Sequence, residues 1–233
     1  MKVLSKLFAL SAFVLAGFCA QAQFSHLEQS IFMNVNLPTA EFNNRVSPVS
    51  IPMYKDNMGK EATVGFGLGY RISYRFDVGF GEVSPYFHAD FQWNQLRGEY
   101  RDAFTQASSS TPNYFNVPLY IGVNYRYQLT EVFTPFGEVG FGPDFLFVTK
   151  EGNTSAYPSI RYKMSTALAW QLGAGCFFGP RVSASLHYSG YGKHVMAYTK
   201  GTIDKLNDAG LPNNNNVVQR NIGVLSLRVG FHF

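Results

Sequence analysis

The stretch Ala62–Asp77 reads ATVGFGLGYRISYRFD, and its pattern decides the fold. Large apolar residues occupy every second position, and glycine, hydroxyl or charged residues occupy the positions between them. Because successive side chains of a β-strand point to opposite faces, this pattern predicts one strand with an apolar face and a small or polar face. The stretch is longer than the roughly five or six residues of a typical globular strand. Its apolar face comprises Val64, Phe66, Leu68, Tyr70, Ile72, Tyr74 and Phe76.

The same alternation recurs along the chain and predicts eight strands in total. In each further segment the alternate positions form two sets, or parities: residues of one parity are apolar, often aromatic, and residues of the other are glycine, serine, amide or charged residues. Over all eight segments, the charged residues on this polar parity include Arg71, Arg75, Arg126, Glu138 and Arg228. The seven further segments are Ile31–Leu37, Pro85–Trp93, Asn116–Leu129, 135–148, 164–178, 182–191 and 225–233.

The connections between these segments alternate in length. Short ones are Val78–Val83, Thr130–Phe133 and Gly179–Arg181. Long polar ones are Thr39–Glu61, Gly98–Asn113, Lys150–Lys163 and Gly192–Asn221, the last with the run Asn213–Asn216. This alternation is typical of outer-membrane barrels. We therefore expect an all-β, eight-stranded antiparallel transmembrane up-and-down barrel, with short periplasmic turns, longer extracellular loops and both chain ends on the turn side.

A water-soluble barrel such as a lipocalin is the alternative, because it also has eight strands. Soluble barrels bury their apolar face, and the interior of an eight-stranded barrel is too narrow for so many aromatic residues. Facing lipid, the same residues need no partner, and closure of the sheet satisfies every backbone polar group. We therefore expect an apolar exterior, with an aromatic girdle near the short turns made of Tyr74, Phe76, Phe87, Tyr125, Tyr127, Phe231 and Phe233.

The first 22 residues have the pattern of a cleaved signal peptide. Lys2 and Lys6 precede an apolar stretch that is too short to span a bilayer, and Ala20-Gln21-Ala22 matches a cleavage site before Gln23. Lipoprotein processing at Cys19 is the alternative, but Phe18 stands where lipidation requires a small residue. We expect a signal peptide over residues 1–22 and a barrel domain over residues 23–233.

The composition excludes a disordered chain, a coiled coil, a multi-span helical bundle and a disulfide scaffold. The chain has 233 residues, of which only 15% are charged and 16% are aromatic, with 22 glycines. Loss of the two lysines of the signal peptide lowers the net charge from +4 to +2, without the concentrated basic patch that nucleic-acid binding requires. Cleavage also leaves Cys176 as the single cysteine, so no internal disulfide can form.

A resemblance to a known family follows from three features: the signal peptide that leaves Gln23, the strand NVPLYIGVNYRY at residues 116–127, and the terminal LSLRVGFHF at 225–233. Together they resemble the small outer-membrane β-barrel domain proteins of the Bacteroidota, which are similar in plan to OmpX, OmpW and PorT-type barrels. The resemblance implies an integral protein of the cell outer membrane, inserted by the barrel-assembly machinery through its C-terminal aromatic strand. It implies no substrate and no binding residues.

The sequence predicts no catalytic, cofactor-binding or metal-ligating residues. Gly65–Gly69 reads G-x-G-x-G, but it lies within a strand and lacks the spacing of a dinucleotide loop, so room for lumen side chains is the better explanation. The histidines do not have zinc-motif spacing, and the nucleophile elbow G-x-S-x-G is absent. His88 and Asp90 share the lumen face, where a buried polar network is the favoured interpretation over acid–base chemistry.

We therefore predict a non-enzymatic structural or interaction barrel, with exposed loops and a lumen plugged by ion pairs. The expected pairs are Arg126 with Glu138 and Arg71 with Asp90, joined by Arg75 and Arg228. The alternatives are a narrow pore or hydrophobic-solute conduit, and a lipid-modifying outer-membrane enzyme. The expected partners are outer-membrane lipid, the barrel-assembly machinery during insertion, and an extracellular or envelope protein, with no nucleic acid and no cofactor.

Overall fold

The computed structural model describes residues 26–43, 62–96, 111–130, 132–150, 160–208 and 218–233. The expected signal peptide over residues 1–22, Cys19 within it, and the run Asn213–Asn216 lie outside the described residues.

Eight long strands and one two-residue strand make up most of the described chain. A 3₁₀ turn, Ala40–Asn43, follows the first strand, and one α-helix, α1, covers Lys200–Asp208. Within the described residues, no helix is both long enough and apolar enough to cross a membrane. The strands are β1 Leu27–Thr39, β2 Ala62–Tyr74, β3 Phe76–Asp77, β4 Glu82–Leu96, β5 Asn113–Arg126, β6 Phe133–Val148, β7 Ser165–Phe178, β8 Val182–Met196 and β9 Val218–His232.

The strands form a closed antiparallel barrel. Each long strand pairs with its neighbours in chain order, and the first strand pairs with the last from Ser30–His232 to Thr39–Gly223. The short β3 continues β2 along β4, so the ring contains eight strands. Closure leaves no edge unpaired among the described strands, which is the condition for placing strands in hydrocarbon. The predicted fold class and all eight predicted strands are confirmed.

The two faces of the barrel differ as the alternation predicts. On the outside, Leu168 is 72% exposed and Phe66 61% exposed, whereas Arg228 on the inner face is fully buried. Apolar residues cover the exterior of every long strand, far beyond the few hundred Å² of contiguous apolar surface common on soluble proteins. This inverted arrangement of a polar interior and an apolar exterior is that of a transmembrane barrel.

The predicted aromatic girdle lies on the outer face near the short turns. Tyr125 and Phe233 are partly buried there. The other five members of the girdle are exposed: Tyr74, Phe76, Phe87, Tyr127 and Phe231.

The strands extend further than the sequence pattern indicates. β8 continues to Met196 through a bulge between Gly190 and Gly192, and β9 begins at Val218. The long connection between them also contains α1, for which the sequence carries no periodic signal. The barrel therefore rises further toward the loops than expected, and its upper part carries ordered structure.

Inward glycines leave space for large lumen side chains. A Cβ atom at Gly173 would overlap the His187 ring, and one at Gly140 would lie 2.6 Å from the Tyr86 hydroxyl. A Cβ at Gly69 would approach Cε1 of His88 to 2.9 Å. These contacts agree with the prediction that the Gly65–Gly69 run makes room inside the barrel.

Candidate functional site: the barrel lumen

An ion pair between β2 and β6 crosses the middle of the lumen. Arg71 donates through Nη1 to Oε2 of Glu138 at 2.7 Å and through Nη2 to Oε1 at 2.6 Å. Asn124 donates a further hydrogen bond to Oε2 at 3.0 Å, and the Arg71 guanidinium lies 4.1 Å from the ring centre of Tyr86. The carboxylate and the guanidinium are both buried, so each depends on the other for compensation of its charge.

A second ion pair lies nearer the turns. Arg126 on β5 donates to both carboxylate oxygens of Glu28 on β1, at 2.6 and 2.7 Å. Its guanidinium packs 4.2 Å from the ring centre of Phe177. Arg75 reaches the same carboxylate from the edge of the lumen, with its Nε 3.9 Å from Oε2 of Glu28.

A third ion pair lies nearer the loops. Nη2 of Arg228 on β9 lies 3.3 Å from Oδ2 of Asp90 on β4. Asn34 donates to both oxygens of Asp90 at 2.8 Å, and Nη1 of Arg228 donates to Oε1 of Gln171 at 3.1 Å. The Gln171 amide nitrogen donates in turn to the Tyr86 hydroxyl at 2.9 Å, which links the middle and upper strata of the lumen.

The three ion pairs share one topology: each joins strands three places apart in the ring of eight. Along β1 their order is fixed by register, since Glu28 lies below Ser30, which faces Arg71, and below Asn34, which faces Arg228. The pairs are therefore stacked across the lumen from the turn end toward the loop end.

The predicted partners within this set were wrong. Glu138 lies opposite Asn124 rather than Arg126, and Arg71 lies opposite His88 rather than Asp90. The first hairpin pairs down to Asp77 and Glu82, so its turn is tighter than the assumed connection and the register shifts by two residues. In addition, long side chains in a narrow barrel reach across the lumen more readily than along one face, so their partners lie outside their own hairpin.

A second polar cluster surrounds His232 where the first and last strands meet. Its Nδ1 lies 2.8 Å from Oγ of Ser30 and 3.0 Å from Oε1 of Glu28, and its Nε2 lies 2.8 Å from Oγ of Ser183. The order Ser183, His232, Glu28 resembles a serine-hydrolase triad. However, Ser183 is only 1% exposed, and Glu28 is already held by Arg126.

Sequence reasoning missed the His232 cluster. Ser183, His232 and Glu28 lie on three different strands, and the feature they share is a position on the inward parity of each strand. That feature predicts that all three lie in the lumen, but it does not predict that they contact each other.

The loop end of the lumen is filled by apolar side chains. They come from the 3₁₀ turn and the upper ends of the strands, and Phe42 packs edge-on against Tyr114 at a centroid distance of 5.4 Å. Below them Nε2 of His194 lies 2.9 Å from Oδ2 of Asp144. The members, all almost fully buried, are Phe42, Tyr114, Leu146, Met196 and Ile222. We call this set the loop-end apolar cluster.

The turn end is open. A cavity of about 740 Å³ is lined by the turns and reaches inward as far as Glu28, Arg126 and Phe177. The lumen therefore forms a polar cup on the turn side that ends at the Glu28–Arg126 pair.

The remaining candidates for chemistry are buried or isolated. His88 Nε2 lies 3.9 Å from Asp90 Oδ2, and both side chains are fully buried, which agrees with a polar network. Cys176 is a free thiol. Among the described residues there is no group of three or more His, Cys, Asp or Glu side chains that could hold a metal ion.

Comparison with known proteins finds solved structures that are similar to this chain at low sequence identity. No protein-family model matches the chain, and no curated protein matches its sequence. A major outer membrane protein from Thermus thermophilus is similar in structure, with 13% identity over 89% of this chain and 99% of that chain and a TM-score of 0.46. The attachment invasion locus protein Ail of Yersinia pestis is 14% identical over 89% and 98%, with a TM-score of 0.43. The outer membrane enzyme PagL is 14% identical over 88% and 98%, with a TM-score of 0.39. These proteins differ in role, and the fold of this chain is established by its own strand pairing.

Proposed function

We propose that this chain is an integral outer-membrane protein whose barrel is closed to ion flow and serves as a rigid support for its loops. The observation that carries the proposal is the stack of three ion pairs across the lumen, Arg126–Glu28, Arg71–Glu138 and Arg228–Asp90. The loop-end apolar cluster lies above this stack. Both features support a lumen that is filled with side chains rather than water.

The energetics favour a permanent closure. A solute that passed through the lumen would have to separate buried ion pairs, and leaving one partner buried without its counter-charge costs about 3–5 kcal/mol for each pair. Three such pairs lie in series, so simple side-chain motion does not open a path. The cup on the turn side is then a vestibule with a closed end.

The proposed orientation places the short turns in the periplasm and the long loops outside the cell. Insertion would proceed through the barrel-assembly machinery, with the terminal aromatic strand Leu225–Phe233 as its recognition element. The function would then reside in loops held at fixed positions, which suits contact with an extracellular or envelope protein.

Conductance in planar bilayers tests the closed lumen. Purified, folded protein should give no steady single-channel current under conditions in which a general porin, added to the same membrane, conducts. Steady current from the pure protein would refute the closed lumen and favour the narrow pore.

The alternative of a lipid-modifying enzyme has its own test. The buried position of Ser183 favours a structural role for the Ser183–His232–Glu28 contacts, because an acyl substrate could not reach the hydroxyl. The lipid A mass spectrum of overexpressing cells should equal that of cells expressing Ser183→Ala, and a fluorophosphonate should not label the folded protein. A lipid A species lost in the Ser183→Ala strain would establish catalysis.

A further inference from the structure

The described segment before β7, residues 160–164, and the segment after β8, residues 197–208 with α1, lie together above the β7–β8 side of the barrel. We call these two segments the platform. The segment before β7 pairs with the segment after β8, with Lys163 N donating to Ala197 O at 2.8 Å and Thr199 N donating to Arg161 O at 3.0 Å. The Thr202 hydroxyl at the start of α1 accepts a hydrogen bond from Arg161 N at 3.0 Å. These bonds fix α1 against the strand extension, so the backbone of the platform has a defined position.

The platform is basic. It carries two exposed acidic residues, Asp204 and Asp208, both on α1. Among the residues that the structure describes here, the exposed cations on the platform and at the top of β8 outnumber them, five cations against two carboxylates, a net charge of +3. These cations are Arg161, Lys163, Lys193, Lys200 and Lys205.

A cavity lies within this basic platform. It has a volume of about 320 Å³ and is lined by Arg161, Thr199, Gly201, Thr202 and Lys205. Among the described residues, neither Arg161 nor Lys205 forms an ion pair with a carboxylate. The cavity therefore offers two cationic side chains, which are suitable partners for phosphate oxygens. Its two hydroxyl groups, those of Thr199 and Thr202, already hydrogen-bond to each other, and Thr202 also bonds the backbone of Arg161.

An apolar surface continues directly below the platform. Met164 precedes β7 and is 53% exposed, Leu168 follows on the outward parity, and Val195 is exposed on the adjacent upper part of β8. A cationic site directly above a lipid-facing band is where a membrane protein meets lipid headgroups, since long basic side chains extend from the apolar region to the interface.

We propose that the Arg161–Lys205 cavity binds the headgroup phosphate of a phosphorylated membrane lipid whose acyl chains lie along the outer face of β7 and β8. The proposal rests on the proposed function, because the loop end must lie at a membrane surface rich in such lipids. Charge complementarity selects the headgroup, and continuity with the apolar face selects a lipid over a free phosphate.

Lipid retention by the folded protein tests the proposal. The full mature chain is folded in phosphatidylcholine vesicles that contain a few per cent of diphosphoryl lipid A or of its enzymatically dephosphorylated form, then extracted in mild detergent, and the bound lipid is counted by native mass spectrometry. Folding in the vesicles is measured separately by the heat-dependent gel mobility of the barrel. The variants are Arg161→Gln/Lys205→Gln, and Arg181→Gln at an exposed position in the β7–β8 turn.

The wild-type protein should retain diphosphoryl lipid A in preference to the dephosphorylated form. Each basic residue near an anionic membrane surface contributes about fivefold to affinity, so the double variant should lose about 25-fold, while Arg181→Gln should behave as the wild type. Inorganic phosphate at millimolar concentration should not displace the lipid; displacement would overturn the choice of a lipid.

Two outcomes overturn the inference in different ways. A folded protein that retains both forms of lipid A equally, or a double variant equal to Arg181→Gln, refutes the phosphate site and leaves the barrel proposal intact. A chain that never shows the mobility of a folded barrel in vesicles refutes the proposed function, and the lipid site fails with it.

Discussion

Replacement of Glu138 by alanine should strongly destabilise the barrel. The Glu138 side chain is fully buried and accepts hydrogen bonds from Arg71 and Asn124, with Nδ1 of His187 a further contact at 3.5 Å. Its loss leaves the Arg71 guanidinium buried without a counter-charge, which costs about 3–5 kcal/mol. Stacking of Arg71 on Tyr86 persists and compensates only a small part of this cost.

The free energy of unfolding can be measured by urea titration of protein folded in vesicles, with heat-dependent gel mobility as a second readout. The matched control is Asp204→Ala, which removes a carboxylate that is exposed on α1. The control should change the unfolding free energy by less than about 0.5 kcal/mol. The Glu138→Ala protein should unfold at a clearly lower urea concentration and lose its compact gel mobility at a lower temperature.

A double variant separates charge from packing. Arg71→Met/Glu138→Leu replaces both partners by apolar side chains, so no buried charge is left without compensation, and most of the lost stability should return. Equal effects of Glu138→Ala and Asp204→Ala would refute the conclusion that the lumen pair is an essential part of the barrel. A double variant that is less stable than Glu138→Ala would refute the electrostatic explanation.

Three further predictions concern other parts of the barrel. His232→Ala should cost about 1–3 kcal/mol in urea unfolding because its partners remain buried without it, whereas the exposed His26→Ala should cost little. Gly173→Ala should cost about 1–3 kcal/mol by the same measurement, because its methyl group would overlap a lumen side chain. Leu172→Arg, in the middle of an outward-facing strand, should cost about 2–4 kcal/mol in vesicles, whereas Met164→Arg at the loop end should cost about 1 kcal/mol or less.

Each of these predictions has a contradicting result. Equal stability of the two histidine variants would show that the His232 contacts contribute nothing to closure. An unchanged unfolding midpoint for Gly173→Ala would mean that the lumen is looser than its contacts indicate. An equal loss of unfolding free energy for Leu172→Arg and Met164→Arg would contradict a lipid-facing β7.

The fold could be predicted from the sequence because its signal repeats. Alternation in Ala62–Asp77 and in seven other segments is dictated by the two environments of a transmembrane barrel, and the exposure of Phe66 and Leu168 confirms the assignment of faces. Strand ends were less well predicted, since near the loops the environment changes and the alternation fades. Tyr114 and Leu146 lie there on the inward parity and form part of the loop-end apolar cluster.

The pairing of lumen side chains could be predicted only in part. Parity places Arg71, Arg126, Glu138 and Arg228 inside, and all four are buried there. Their partners depend on turn lengths and on the diameter of the barrel, neither of which alternation specifies. The basic platform was missed for a different reason: its members are scattered through two connections that have no periodicity, and the ordered segment after β8 brings them together.

The polar cluster around His232 affects the order in which the barrel can be completed. Glu28 lies on β1, Arg126 on β5 and His232 on the last strand, so this cluster cannot form until the C-terminal strand has paired with β1. Until then Glu28 remains at an open seam accessible to water. A chain that stalls before closure is therefore left with a charged, hydrated edge that is unsuited to lipid. Pairing of the final strand therefore completes the polar interior as well as the sheet, which favours the closed barrel over an open sheet in lipid.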